Sequence, residues 1–288
     1  MLKISRMMTG GMLLAVLVGM TLPANAKNIK GLPDGKNFPS LLSSSADAPI
    51  MKRAADSLYD VIGLVSYGLN REVFFSAFKG LQYLQNQNAL KKTNLLTICD
   101  YSQSSNNKRL YVIDVLNGRL LFHTYASHGK NSGEEFASTF SNLVNSNKSS
   151  LGFMITAETY NGKAGFSMRL NGMERGINDK VRNRDIVLHG SRFVNENVMN
   201  DRGSIGKSLG CPAVPYGIHN RIINAIKGGS CFYIHAPDPL YASTSTILNA
   251  RFDLDPTTIA MQTATNAMGE IMHAVQVTTT ATNKLYLI

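Results

Sequence analysis

Two side chains in this 288-residue sequence have the type and setting for acyl transfer, Cys211 and His189. A cysteine nucleophile needs a base within reach and backbone N–H donors for the oxyanion that develops on the attacked carbonyl. The stretch Ser208-Leu209-Gly210-Cys211-Pro212 meets the second need. Gly210 lets the chain turn sharply and pass close to a ligand. Pro212 biases Cys211 toward extended backbone and so fixes where its sulfur points. The N–H groups of Gly210 and Cys211 are then available to an oxyanion. His189 follows Ile186-Val187-Leu188, a short apolar strand, and stands at its end with its ring able to reach a cleft. Its imidazole titrates in the range needed to take a thiol proton. The same residues also fit a plain structural role, Cys211 as a small buried thiol and His189 as a loop histidine hydrogen-bonded locally.

The other two cysteines read differently. Cys99 ends Asn94-Leu95-Leu96-Thr97-Ile98 and Cys231 opens Phe232-Tyr233-Ile234, both β-type runs that would be buried. They fit core thiols, or one disulfide between neighbouring strands. An odd count leaves at least one thiol unpaired, or one paired between chains. His123, His189, His219, His235 and His273 show no ligand spacing and the cysteines are far apart, so no metal is expected. His128, in Ser127-His128-Gly129-Lys130, is a second-rank candidate for lining the cleft, with a turn role as the alternative. Arg169, Arg184 and Lys207 lie near the motif strands and can pair with carboxylates, or simply solvate the surface.

The elements that must hold these residues follow from pattern. Asp47 can cap a helix with Pro49 in its first turn. Leu58, Ile62, Val65 and Leu69 then make an apolar helical face. Gly68-Leu69-Asn70 breaks it, and Asn70 can cap a second helix through about Gln87, with Val73, Phe74, Ala77, Leu81 and Leu84 inward. From residue 94 the rhythm becomes that of strands. Arg109–Val115 and Arg119–Ala126 around Asn117-Gly118 predict a β-hairpin with a type I′ turn. Gly152–Tyr160 and Phe166–Leu170 around Asn161-Gly162 predict another. His219–Ile226 reads as a helix stopped by Gly228-Gly229, and Cys231–His235 as a last core strand ended by Pro237. Helices followed by many strands make an α+β chain, not a βαβ repeat.

Composition excludes other classes. With 44% hydrophobic and 17% charged residues, 9 Pro and 24 Gly, the chain is neither disordered nor collagen-like, and three cysteines are too few for a disulfide scaffold. The net charge of +10 suits an anionic partner but is spread along the chain, and no tract approaches nucleic-acid density. Lys3 and Arg6, the apolar Met7–Leu22 and the small-x-small Ala24-Asn25-Ala26 form a signal-peptide pattern with cleavage after Ala26. Its apolar centre, Met12–Met20, is short for a span of ~20 residues. Export to the periplasm or beyond is therefore expected, with no integral membrane segment after cleavage.

Val187-Leu188-His189-Gly190 followed by Ser208-Leu209-Gly210-Cys211-Pro212-Ala213 resembles the L,D-transpeptidase family (YkuD-type murein L,D-transpeptidase catalytic domain). The similarity runs from about Leu95 to Pro237. It includes Thr97-Ile98-Cys99-Asp100-Tyr101-Ser102, His128-Gly129-Lys130-Asn131-Ser132-Gly133 and Gly228-Gly229-Ser230-Cys231. The resemblance implies a β-sandwich core with a Cys–His site acting on peptidoglycan stem peptides. Cys211 would be the nucleophile, His189 the base, and the Gly190 carbonyl would orient the imidazole. The N–H groups of Leu209, Gly210 and Cys211 would form the oxyanion hole, with Ser208 beside the substrate. The reaction implied passes the acyl group of a diaminopimelate–D-alanine bond through a Cys211 thioester to an amine, making 3→3 cross-links without a cofactor, with trapping by carbapenems. The family motif is commonly Ser/Thr-His-Gly-Cys, so Leu209 here replaces an imidazole while keeping its backbone N–H. A hydrolase using the same site and a non-catalytic cell-wall binding protein are the alternatives. The implied organisation is a signal peptide over 1–26, a linker over 27–46, a helical segment over 47–93, the catalytic domain over 94–240 and a Thr/Ala-rich extension of unknown role over 241–288.

Overall fold

The computed structural model describes residues 47–252. The stretches expected to be a signal peptide over 1–26 and a linker over 27–46, together with residues 253–288, lie outside the described residues. Helix α1 spans Asp47–Ile62 and buries Met51, Ala54, Ala55 and Tyr59. Gly63, at φ +71°, ends it, and a 3-10 turn over Leu64–Tyr67 runs to Gly68 at φ +75°. Both glycines occupy the left-handed region that other residues enter at a cost. This break rotates the apolar face. Leu64 and Leu69 point inward, whereas Val65, expected inside on an unbroken helical spacing, is exposed. The Asn70 side chain accepts the Glu72 N–H at 2.8 Å and caps α2, Arg71–Asn86. Its Val73, Phe74, Ala77, Leu81 and Leu84 are buried, as their spacing predicts.

Eight strands follow: β1 Lys92–Asp100, β2 Leu110–Asp114, β3 Arg119–Thr124, β4 Gly152–Gly162, β5 Gly165–Gly172, β6 Val187–Ser191, β7 Ala213–Pro215 and β8 Ser230–His235. They form one sheet in the order β3-β2-β1-β8-β4-β5-β6-β7. Neighbours are antiparallel except β1–β8 and β6–β7. The two edges meet: just past β3, the Ser127 N–H donates to the Ala213 carbonyl of β7 at 2.8 Å. The result is an α+β fold on a large barrel-like, sandwich-type sheet, as expected. Three further helices complete it: α3 Glu196–Arg202, α4 His219–Ile226 and α5 Pro239–Thr244. Helix α3 lies between the His189 and Cys211 motifs; Asn195 caps it by accepting the Val198 N–H at 3.0 Å. Beyond α5 the chain stays on the domain to residue 252: Ile247 is buried, and the Phe252 ring meets Tyr83 edge-on at 5.7 Å.

Both hairpins form, with turns that differ from expectation. Asp114 pairs with Arg119, so the first loop has four residues, not two. The Asp114 carboxylate accepts the Asn117 N–H at 3.2 Å and its side-chain amide at 2.7 Å. Asn117 thereby keeps a negative φ, which a type I′ turn forbids, and only Gly118 turns left-handed, at φ +58°. In the second hairpin β4 runs through Asn161-Gly162, and the turn falls on Lys163-Ala164 with Gly165 at φ +77°.

Cys99 and Cys231 sit on adjacent strands β1 and β8, but Cys231 is level with Leu96 and Cys99 with Ile234. Three residues out of register, they are two free, fully buried core thiols and not a disulfide.

Candidate active site

The loop carrying Cys211 lies where the sheet closes, and backbone clamps hold it there. The Ser208 N–H donates to the His128 carbonyl at 2.9 Å, and the Lys130 N–H to the Ser208 carbonyl at 2.8 Å. Two glycines make this close approach possible. A Cβ at Gly129 would come within 2.5 Å of the Asn147 carbonyl oxygen and 2.9 Å of the Gly210 Cα. Gly210 itself has φ +123°, and a Cβ there would stand 2.8 Å from both Ile186 Cδ1 and the Lys148 oxygen. Only glycine fits either position without displacing backbone. The Ser208 hydroxyl tightens the turn by donating to the Cys211 carbonyl at 2.7 Å and accepting the Gly210 N–H at 3.1 Å. Of the three N–H groups expected to face an oxyanion, Gly210's is thus held by Ser208. Those of Leu209 and Cys211 have no protein acceptor among the described residues.

His189 lies inside β6, not at its end, flanked by Ser167 of β5 and Ala213 of β7. Cys211, two residues before Ala213, is its diagonal neighbour across a strand pair spaced roughly 4.8 Å apart. Both side chains open onto one cleft of about 1220 Å³. The His189 Nδ1–H donates to the Gly190 carbonyl at 3.0 Å, which leaves Nε2 as the acceptor nitrogen. Burial, and then the charge of His219, hold its pKa below 6.5 against the pull of that hydrogen bond, so the ring is a neutral base near pH 7. The Cys211 thiol donates to the Asp185 carbonyl at 3.5 Å and accepts the Val187 N–H at 3.4 Å. Burial raises its pKa above 9, and the Val187 N–H and the Arg184 guanidinium oppose that rise.

The remaining candidates divide. Ser208, Arg169, Arg184 and Lys207 line the cleft; His128 does not. Its ring is 1% exposed, with Nδ1 accepting from Arg109 at 2.8 Å and Nε2–H donating to the Gly133 carbonyl at 3.1 Å. The expectation that His128 lines the cleft is corrected: its backbone serves the site and its ring is sealed. Arg169 pairs with Asp185 at 3.0 Å and Glu158 at 3.7 Å, and Lys207 pairs with Glu134. The Arg184 fork is taken up by the 141–150 loop. Leu209, in place of the motif's imidazole, is 65% exposed at the cleft rim.

Sequence reasoning missed the Asp185 carbonyl, presented by a residue at φ +52°, and His219, whose ring fills the space a Gly190 side chain would need. Neither carries a sequence signal, because one is a backbone atom and the other lies 29 positions past Gly190. Among the described residues, no group of three or more His, Cys, Asp or Glu is placed to hold a metal ion. No helix among them is long and apolar enough to cross a membrane.

A family profile described as the L,D-transpeptidase catalytic domain matches residues 66–235, more than half of the chain. The chain belongs to this family. Solved L,D-transpeptidases are among the structures it resembles. One, in complex with imipenem, is 14% identical with a TM-score of 0.31, covering 49% of this chain and 59% of that one. The L,D-transpeptidase from Mycobacterium smegmatis is 13% identical with a TM-score of 0.31, covering 50% and 59%. The one from Xylanimonas cellulosilytica is 14% identical with a TM-score of 0.29, covering 71% and 100%. The chain thus spans about three fifths of the length of the first two. No curated protein matches it.

Proposed function

We propose that the protein is an exported cysteine acyltransferase that remodels peptidoglycan through a Cys211 thioester. The observation that carries this reading is the shared cleft: within an L,D-transpeptidase catalytic domain, a thiol and a neutral imidazole with a free Nε2 open onto the same space. At about 1220 Å³ the cleft exceeds the ~300–1,000 Å³ of ordinary small-molecule sites and suits an extended peptide.

The residues carry the reaction in order. The Cys211 sulfur turns from the Asp185 carbonyl toward His189 Nε2 and gives up its proton. The thiolate attacks the carbonyl of the diaminopimelate–D-alanine bond in a tetrapeptide stem, and the N–H groups of Leu209 and Cys211 receive the oxyanion. The C–N bond breaks, the imidazolium returns its proton to the leaving D-alanine amine, and a thioester remains. A side-chain amine of a second stem attacks that thioester. His189 takes its proton, and Cys211 leaves as thiolate, producing a 3→3 cross-link. The signal-peptide pattern at the N-terminus supports action in the periplasm, and no step calls on a cofactor.

Muropeptide analysis tests the reading. Sacculi rich in tetrapeptides, exposed to the protein, are expected to gain 3→3 dimers that a Cys211→Ala variant does not make. Shortened monomers alone would assign the site to hydrolysis, and unchanged muropeptides with both proteins would overturn the catalytic reading.

A further inference from the structure

Arg184 lies three positions before the strand that brings in His189, on the turn leading into β6. Its guanidinium is half-buried and makes four hydrogen bonds, all to neutral acceptors. Nη1 donates to the Ser141 carbonyl at 2.5 Å and the Ser150 hydroxyl at 2.6 Å. Nη2 donates to the Ser146 hydroxyl at 3.1 Å and the Lys148 carbonyl at 2.7 Å. No carboxylate pairs with it among the described residues, unlike Arg169 and Lys207, the neighbouring cleft cations. The loop that it gathers is the one that backs the nucleophile. The Lys148 oxygen would stand 2.8 Å from a Gly210 Cβ, and the Ser149 hydroxyl donates to the Gly210 carbonyl at 3.3 Å. That hydroxyl also accepts the Gly129 N–H at 3.0 Å, joining the loop to the segment that clamps Ser208.

We infer that Arg184 is a positioning residue that serves the nucleophile in two ways: it locks the 141–150 loop behind Gly210, and it leaves an uncompensated positive charge facing the anion formed at Cys211. The inference rests on Cys211 being the nucleophile. A half-buried cation satisfied only by dipoles keeps its charge available, and that charge is less screened than a fully exposed one. Asp185 opposes it from the same turn but is engaged by Arg169. His189 is neutral, Lys207 is paired with Glu134, and Lys163 and Arg192 are the remaining cleft cations. The fork geometry matters as well as the charge, because only a guanidinium spans four acceptors in one plane.

The test is the pH profile of Cys211 alkylation by iodoacetamide, read by mass spectrometry on wild type, Arg184→Gln and Arg184→Lys, each checked for fold by circular dichroism. Arg184→Gln is expected to move the midpoint up by about one pH unit, slowing alkylation about tenfold at neutral pH. Arg184→Lys is expected to keep the midpoint near wild type while slowing acylation by a carbapenem, because the loop loses its clamp. A folded Arg184→Gln protein with an unshifted midpoint would overturn the inference while Cys211 remained the labelled residue. Label found equally on a Cys211→Ala protein would instead remove the nucleophile itself. Should Arg184→Gln fail to fold, a midpoint raised in Arg184→Lys would overturn the charge role and an unshifted one would support it.

Discussion

His128 and His189 each precede a glycine, each sit beside the Cys211 loop and each are largely buried, yet their rings do opposite things. His128 has an arginine on one nitrogen and a carbonyl on the other, and its pKa is pushed down to about 4, first by burial and then by Arg109. It has no lone pair or proton to offer. His189 spends one nitrogen on the Gly190 carbonyl and keeps the other for the cleft. The cysteines divide in the same way. Cys99 is sealed on β1, its pKa pushed up to about 12 by burial, whereas Cys211 stands at the cleft with an N–H donor on its sulfur. Neither residue type nor neighbouring glycine separates the pair proposed to react from the sealed one. What separates them is an unspent valence facing solvent-filled space.

Substitutions can break this contrast. Cys211→Ala is expected to abolish covalent trapping by a carbapenem, measured by intact mass, while Cys99→Ala and Cys231→Ala leave it in place. His189→Ala is expected to slow acylation by about 10²–10⁴, the usual worth of a positioned base, without loss of fold by circular dichroism. His128→Ala should do the reverse. It leaves the buried Arg109 short of one acceptor and costs about 1–3 kcal/mol in denaturant unfolding. Gly210→Ala is expected to lower the acylation rate by about 10²-fold, as the loss of an oxyanion donor does, because the added methyl displaces the turn.

Acidification sharpens the comparison further. The folded state holds His128 neutral down to about pH 4, whereas the unfolded chain protonates it near 6.5. The unfolded state therefore binds the extra proton, and stability falls as pH drops through that window, by about 3 kcal/mol at most. A thermal-denaturation series from pH 7 to pH 4 checks this. The decline should be shallower in His128→Asn.

The sequence made much of this arrangement legible, for reasons particular residues make plain. Asn70 as a cap, the inward face of α2 and the α4 boundaries are local properties, and local chemistry decided them. The Cys211 loop and the His189-Gly190 pair are legible because glycine and, at Cys211, proline stand beside a side chain that can do chemistry. The hairpin turns depart from the Asn-Gly expectation because Asn-Gly is only a preference. Burying side chains such as Phe153 and Met168 is worth ~1.5–3 kcal/mol each, and their register overrides the turn. The sealed ring of His128 and the loop-gathering contacts of Arg184 are not legible in the sequence, for a different reason. Their partners, Arg109, Ser141 and Lys148, lie 19 to 43 residues away and come together only when the sheet closes at Ser127 and Ala213.

All of the proposed chemistry depends on the sulfur of residue 211 forming the acyl-enzyme. Peptide-mapping mass spectrometry of the protein quenched during turnover of a disaccharide tetrapeptide tests it most directly. An adduct of the substrate minus D-alanine is expected on the peptide containing Cys211, and it should form far more slowly in His189→Ala. An adduct on Cys99 or Cys231, or release of D-alanine by Cys211→Ala at the wild-type rate, would contradict it.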